Sequence, residues 1–314
     1  MKTLKRILLF IACICFLTTC SKDDGFLGGG FRDHQYGYDK VNTHTQGLDQ
    51  DRYITMKSTG LRVHYRIIGK GPIDMVFIPG WTNPLEIFTK QFDYFRDNAR
   101  CIYIDLPGHG LSDAPEGIEY TMGLMADAIY EVVKKEGLKK FVAVGFSMGP
   151  VPLGQFELKH PGMITKLVNL EGSYSPWPQK GTEAREEFII GLNWFLDWIG
   201  YWDNEGKASL GLVPESAPDD LKDFVEYFYV FPNWLMQNIY YWYSREEVNN
   251  PVGWKIPILS IYIAPPDPEN EALIFPGSEV RVINGSGHCV QWEKHEIVNP
   301  LIWEFVSDRP GRRY

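Results

Sequence analysis

The chain has 314 residues, of which 44% are hydrophobic and 23% charged, an ordinary balance for a globular protein with a sizeable core. Its formal net charge of −9, with no basic stripe to offset it, argues against a nucleic-acid partner. Of the five cysteines, Cys13, Cys15 and Cys20 crowd the N-terminus, so Cys101 and Cys289 make no disulfide framework and are expected as free thiols.

The first twenty residues read as a leader. Lys2, Lys5 and Arg6 form a positive n-region, and 7–17 form an apolar core too short to span a bilayer. The ending Leu17-Thr18-Thr19-Cys20 resembles a bacterial lipobox, with Thr before the cysteine where Gly or Ala is usual. Such a signal peptide, 1–19, would leave Cys20 as a lipidated N-terminus inserted in a membrane. The alternative is an ordinary secretory signal cut near Cys20, and either takes the protein out of the cytoplasm. Ser21-Lys22-Asp23-Asp24 resembles the acidic tags of surface lipoproteins in some Gram-negative lineages. The expected location is therefore the cell envelope, as an outer-membrane lipoprotein exposed at the surface. Residues 20–51, glycine-rich at first and without apolar periodicity, read as a flexible tether.

From residue 53 strand and helix signals alternate. Residues 53–58 and 61–68 suit an antiparallel hairpin across Thr59-Gly60, and 73–78 a strand ending at Pro79-Gly80-Trp81. Residues 83–98 carry a helical stripe at Ile87, Phe88, Phe92 and Phe95. A buried strand at 101–106 ends at Pro107-Gly108-His109-Gly110-Leu111-Ser112. Met122, Met125, Ile129, Val132 and Val133 mark a helix closed by Gly137. The apolar run Phe141-Val142-Ala143-Val144 then leads into Gly145-Phe146-Ser147-Met148-Gly149 and a helix at 151–160 that stops before Pro161. A further strand at 166–170 ends at Glu171-Gly172. This alternation is that of a parallel sheet covered by helices on both faces.

Between 173 and 254 the pattern changes. Six tryptophans (Trp177, Trp194, Trp198, Trp202, Trp234, Trp242) stand among tyrosines and phenylalanines, including Tyr227, Phe228, Tyr229, Tyr240 and Tyr243. Helical spacing at Phe188, Leu192, Phe195 and Ile199, broken later by Pro214, Pro218 and Pro232, reads as an inserted helical cap. The sheet core of 52–172 resumes at 255–314, with strands at 256–263 and 279–283 and a last helix at 290–306.

Gly-x-Ser-x-Gly between a strand and a helix has the context of a nucleophile elbow, with Ser147 at a strained apex and glycines on either side. A serine hydroxyl needs a base, and the base needs a third group to hold its tautomer. His288 follows a strand and the loop Asn284-Gly285-Ser286-Gly287, which brings it to the same sheet end as Ser147. His109 also ends a strand, but Gly-His-Gly suits a tight loop. For the acid, Asp267 in the proline-stiffened loop Ala264-Pro265-Pro266-Asp267-Pro268 is favoured over Glu171, which ends the strand at 166–170. The expected oxyanion donors are the backbone N–H groups of Met148, at the start of the elbow helix, and of Trp81, in the loop after 73–78.

Pro79-Gly80-Trp81, Asp105-Leu106-Pro107-Gly108-His109-Gly110-Leu111-Ser112, the elbow, and Gly287-His288-Cys289-Val290-Gln291-Trp292-Glu293-Lys294 together resemble a capped α/β-hydrolase over residues 52–308. The resemblance implies nucleophile Ser147, base His288 and oxyanion donors Trp81 and Met148. His288 follows Asp267 by only 21 positions, fewer than such proteins usually show, and some capped relatives place an acid where Glu171 stands. Relatives that open epoxides or remove halides attack with a carboxylate, where this chain carries Ser147. No metal-binding or nucleotide-binding motif is present. The expected activity is cofactor-free hydrolysis of a small-molecule carboxylic ester with an apolar or aromatic group, through an acyl-enzyme. A C–C bond hydrolase, lactonase or aminopeptidase of the same fold remains open, as does a ligand-binding lipoprotein that uses the cap without catalysis.

Overall fold

A run such as Phe141-Val142-Ala143-Val144 has no polar side to turn to water, so it is stable only in the middle of a sheet covered on both faces. In the computed structural model, which describes residues 50–172, 176–203 and 213–307, that is where it lies. The expected leader 1–19, Cys20 and nearly all of the tether lie outside the described residues. Eight strands form one sheet in the order β1-β2-β4-β3-β5-β6-β7-β8. They are β1 Gln50–Thr55, β2 Arg62–Ile68, β3 Ile73–Ile78, β4 Ala99–Ile104, β5 Phe141–Phe146, β6 Ile164–Leu170, β7 Ile258–Tyr262 and β8 Glu279–Val282. The pairings β1·β2 and β2·β4 are antiparallel and the other five parallel. This is the α/β-hydrolase fold class expected from the sequence.

Because strand side chains alternate between faces, successive residues sort into two cores. Val76, Ile78, Ile102, Ile104 and Ala143 pack with helix α2 (Met122–Lys135) and helix α3 (Pro150–Lys159). Met75, Phe77, Cys101, Tyr103, Val142 and Val144 pack on the opposite face, against α1 (Thr89–Arg96) and the C-terminal helix. Cys101 and Cys289 are free and buried, and burial pushes both thiols up to about 12.

Two helices differ from the sequence reading. The stretch 83–98 begins as a 3-10 turn, Leu85–Phe88, entered from Pro84, whose fixed φ suits a helix start. The last helix is broken at Lys294 into α8 (Val290–Glu293) and α9 (His295–Val306). In chain order before them, β6 and β7 are separated by α4 (Glu183–Ile199), α5 (Asp219–Val230) and α6 (Asn233–Tyr243), and β7 and β8 by the short α7 (Pro268–Ile274). Thr182 caps α4 by accepting a hydrogen bond from the Arg185 N–H. The α4–α6 insertion joins the first core through Phe195, Ile199, Trp202, Leu235, Met236 and Ile239. It also reaches the second core through Ala217, Leu221 and Phe224, and Lys90 on α1 donates to Asp220 of α5 at 2.5 Å. Among the described residues no helix is long and apolar enough to cross a membrane.

Candidate active site

Three non-glycine residues have positive φ among the described residues: Thr82 (64°), Ser147 (53°) and Glu171 (51°). Each follows the C-terminal end of a neighbouring parallel strand, β3, β5 or β6. Left-handed backbone at a side-chain-bearing residue is unfavourable unless its surroundings impose it, and such residues gather at functional sites.

The surroundings of Ser147 are rigid. Its N–H donates to the Leu170 carbonyl at 2.9 Å, tying the turn to the end of β6. The flanking glycines are required by contact: a Cβ on Gly149 would lie 2.4 Å from the Ile78 carbonyl oxygen, and one on Gly145 2.7 Å from the Pro150 nitrogen. The turn therefore projects the Ser147 hydroxyl beyond the sheet. His288 meets it there, with Nε2 2.9 Å from Ser147 Oγ and its ring against Phe146 at 5.0 Å.

The carboxylate behind His288 is that of Glu171. Its Oε2 lies 3.4 Å from His288 Nδ1, and its Oε1 accepts the Ile263 N–H at 2.6 Å. The Glu171 N–H in turn donates to the Ile261 carbonyl at 2.9 Å, so this residue is clamped to β7 from both ends. Asp267 is not brought to the site. It is exposed and serves as the N-cap of α7, accepting the Asn270 N–H at 2.9 Å. The expectation that Asp267 faces His288 is thus corrected: the cap geometry that an Asp before Pro268 favours turns its carboxylate back onto its own helix.

Residues not singled out in the sequence brace Gly172, the residue after Glu171. Asn169, fully buried on β6, accepts the Gly172 N–H at 3.0 Å and donates to the Gly172 carbonyl at 2.8 Å. It also donates to the Tyr262 hydroxyl, which donates to Glu271 at 2.6 Å. Burial and the Glu271 carboxylate raise the Tyr262 phenol far above its ordinary value, keeping it a donor. An asparagine inside the apolar run Leu167-Val168-Asn169-Leu170 was the available signal, since buried polar groups need partners.

Two backbone segments approach the place where a bound carbonyl oxygen would sit. The Met148 N–H, beside Ser147 and just before α3, makes no hydrogen bond among the described residues, and the helix dipole favours negative charge there. The other segment is the loop after β3. A Cβ on Gly80 would stand 2.9 Å from Ser147 Cβ, so this loop touches the elbow directly. Trp81 follows, its indole N–H donating to the Met236 carbonyl of α6 at 3.1 Å. The buried Asp105 carboxylate braces this region, accepting the Leu85 N–H at 2.7 Å and the Leu111 N–H at 2.9 Å.

His109 stays apart from this chemistry. Its Nδ1 donates to the Pro107 carbonyl at 3.1 Å, and burial pulls the ring down to about 4, so it is neutral at ordinary pH. Among the described residues no group of three or more His, Cys, Asp or Glu side chains is placed to hold a metal ion.

The geometry is that of a serine on a strand–turn–helix corner with an imidazole and a carboxylate in line, on an eight-stranded, mostly parallel sheet. Residues 75–212 match the family model described as alpha/beta hydrolase fold. Epoxide hydrolase 4 of Mus musculus is 30% identical over 297 residues, covering 83% of this chain and 80% of that protein. Similarity to epoxide hydrolase 3 of Xenopus tropicalis is more local, 32% identity over 122 residues, 38% of this chain and 33% of that one. Among solved structures, the esterase EaEST from Exiguobacterium antarcticum superimposes with a TM-score of 0.69 at 18% identity, over 82% of this chain and all of that one (100%). The chain belongs to the alpha/beta hydrolase fold family.

Proposed function

We propose that this protein is a serine hydrolase that cleaves a carboxylic ester through an acyl-enzyme. The observation that carries the reading is the 2.9 Å contact of Ser147 Oγ with His288 Nε2 at the apex of a strained elbow, with Glu171 on the far ring nitrogen. Ser147 attacks the ester carbonyl while His288 takes its proton. Glu171 holds the ring with Nδ1–H toward itself and balances the imidazolium that forms. The N–H groups of Met148 and Trp81 receive the oxyanion. His288 then gives its proton to the departing alcohol, and water, activated by the same ring, releases the acid. Opening of an epoxide by a carboxylate nucleophile is not supported, because the elbow offers a serine.

The aromatic rings over the site favour a substrate with an apolar or aromatic group. The test is turnover of p-nitrophenyl esters of two, four, eight and twelve carbons by the purified protein and by Ser147→Ala. Turnover lost in the variant, with stoichiometric fluorophosphonate labelling of Ser147, supports the assignment. An unlabelled Ser147 and no turnover of any ester would reject it in favour of a non-catalytic ligand-binding protein.

The proposed location follows from the leader: a lipid on Cys20 tethering the hydrolase to the outer membrane. Radiolabelled palmitate should be incorporated by the wild type and not by Cys20→Ala; equal absence from both would leave only a secretory signal.

A further inference from the structure

Of the three residues with left-handed backbone, Ser147 and Glu171 belong to the proposed chemistry, and Thr82 has no part in it. A β-branched residue at a φ of 64° is a genuine outlier, because its Cβ is forced toward neighbouring backbone atoms. Thr82 is nonetheless fully buried, and its hydroxyl donates to the Trp81 carbonyl at 2.6 Å. The Asn83 N–H donates to the Gly80 carbonyl at 3.2 Å, closing the turn Gly80-Trp81-Thr82-Asn83. Positive φ at the third of these four residues, and not at the second, is the pattern of a type II turn. Glycine or asparagine usually fills that third place. Threonine there keeps the strain and gains a hydroxyl.

This turn carries Trp81 to the elbow. A Cβ on Gly80 would lie 2.9 Å from Ser147 Cβ and 3.1 Å from Asn83 Oδ1, so the turn is wedged against the nucleophile. In a trans peptide the N–H points away from the carbonyl of the same unit. Drawing the Gly80 carbonyl in toward Asn83 therefore aims the Trp81 N–H out of the turn. The Trp81 side chain is tied separately, by its indole N–H to the Met236 carbonyl at 3.1 Å. What remains to be fixed is the peptide between Trp81 and Thr82, whose reversal interconverts type I and type II turns. The Thr82 hydroxyl is bonded to the carbonyl of that peptide. Strain kept in place by its surroundings collects where preorganisation matters.

We propose that Thr82 is a positioning residue for the oxyanion site. Its hydroxyl locks the 81–82 peptide, and with it the turn that holds the Trp81 N–H toward the oxygen that gains charge when Ser147 attacks. This rests on the serine-hydrolase reading, and Thr82 acts through Trp81, not on the substrate. A donor fixed before reaction needs no reorganisation as charge develops, so loosening it slows the chemistry without weakening ground-state binding.

Three variants separate the hydroxyl from the fold. Thr82→Val removes the O–H and keeps the branched shape, and Thr82→Ser keeps the O–H. Thr82→Gly removes the O–H and takes this φ without strain, so it decides the matter should valine leave too little folded protein. kcat and KM for p-nitrophenyl butyrate are measured per site titrated with a fluorophosphonate, which counts only folded, reactive protein. Affinity for phenylboronic acid, which forms a tetrahedral adduct with a reactive serine and places an oxygen at the oxyanion site, is measured alongside. Thr82→Val and Thr82→Gly should each lower kcat at least about tenfold, short of the ~10²–10³ for deleting a donor outright, with KM within about twofold. Boronate affinity should fall by a similar factor, and Thr82→Ser should keep both within about threefold of wild type. A kcat per titrated site near wild type without the hydroxyl, a KM rise in place of the kcat loss, or a serine variant as slow as valine would overturn the proposal and leave the hydrolase standing. A wild type that neither turns over the ester nor is labelled would overturn the hydrolase reading and the proposal with it.

Discussion

A serine hydroxyl attacks only if its proton has a place to go, and in the proposed reaction that place depends on which carboxylate stands behind His288. Glu171 lies 3.4 Å from Nδ1 and is pinned by the Ile263 N–H, whereas Asp267 is occupied as a helix cap. Glu171→Gln should therefore lower kcat by about 10³–10⁴-fold, because an amide can hold the wrong tautomer and cannot balance the imidazolium. Asp267→Ala should change kcat less than about threefold while costing on the order of 1 kcal/mol of stability through the lost cap. Steady-state kinetics and chemical denaturation of both variants check this. A kcat collapse in Asp267→Ala with Glu171→Gln near wild type would return the acid to Asp267. Ser147 and His288 were legible in the sequence because local motifs carry them. Glu171 was not separable from Asp267, because both end or follow strands on the correct side of the sheet. Only the side-chain directions distinguish them.

At the level of elements, the site depends on strand ends pressed together more closely than a side chain permits. Gly80 touches Ser147, and a Cβ on Gly172 would lie 2.4 Å from Asn169 Oδ1, 2.6 Å from Pro150 Cγ and 2.8 Å from the Ser147 carbonyl oxygen. Gly80→Ala should push the β3 loop away from the elbow, displacing the Trp81 N–H by about the size of a methyl group. Loss of positioning of that order costs about 10²-fold in kcat/KM. Active-site titration with a fluorophosphonate should still find most molecules folded and reactive. A variant with unchanged kcat/KM would remove Trp81 from the oxyanion site. The strands β3 to β6 and helices α2 and α3 were readable from apolar period and turn residues. The 3-10 turn at Leu85–Phe88 and the break at Lys294 were not, because tertiary contacts impose them on sequences that would otherwise continue as helix.

Across the whole molecule, a buried ionic node joins the edge of the sheet to the loops beneath the site. His64 is fully buried, with Nδ1 2.7 Å from Asp105 and Nε2 3.2 Å from Asp51, and Arg66 donates to Asp51 at 2.7 Å. Burial by itself favours the neutral ring, but the hydrogen bonds to Asp105 and Asp51 outweigh it and push His64 up to about 9. The folded-state value is above the ordinary histidine value of 6.5, which stands for the unfolded chain. The imidazolium therefore contributes its full stability below about pH 6.5, loses it progressively as pH rises, and contributes none above about pH 9. Asp51 acts in the opposite sense. Despite its partial burial, the His64 and Arg66 hydrogen bonds hold its carboxyl far below its ordinary range. Its contribution is present above about pH 4 and falls away in acid. The midpoint of thermal unfolding should decline from pH 6.5 to 9, and the decline should be shallower in His64→Gln. A wild-type midpoint flat over that interval would show that His64 is neutral in the folded protein.

The sequence by itself determined the order of strands and helices, the α/β-hydrolase class, and the placement of Ser147 on a turn between β5 and α3. Those properties follow from short-range rules, apolar period, turn glycines and the steric demands of a strand-to-helix corner, and they survive without knowledge of distant contacts. Only the tertiary structure decided that Glu171 faces His288 and that Asn169 and Tyr262 brace the turn at Gly172 just after it. The first and the Tyr262 contact join segments far apart in the chain, and each is set by where a side chain points once the strands are laid side by side. Spacing along a sequence records which residues share an element, but not which of two carboxylates an imidazole meets.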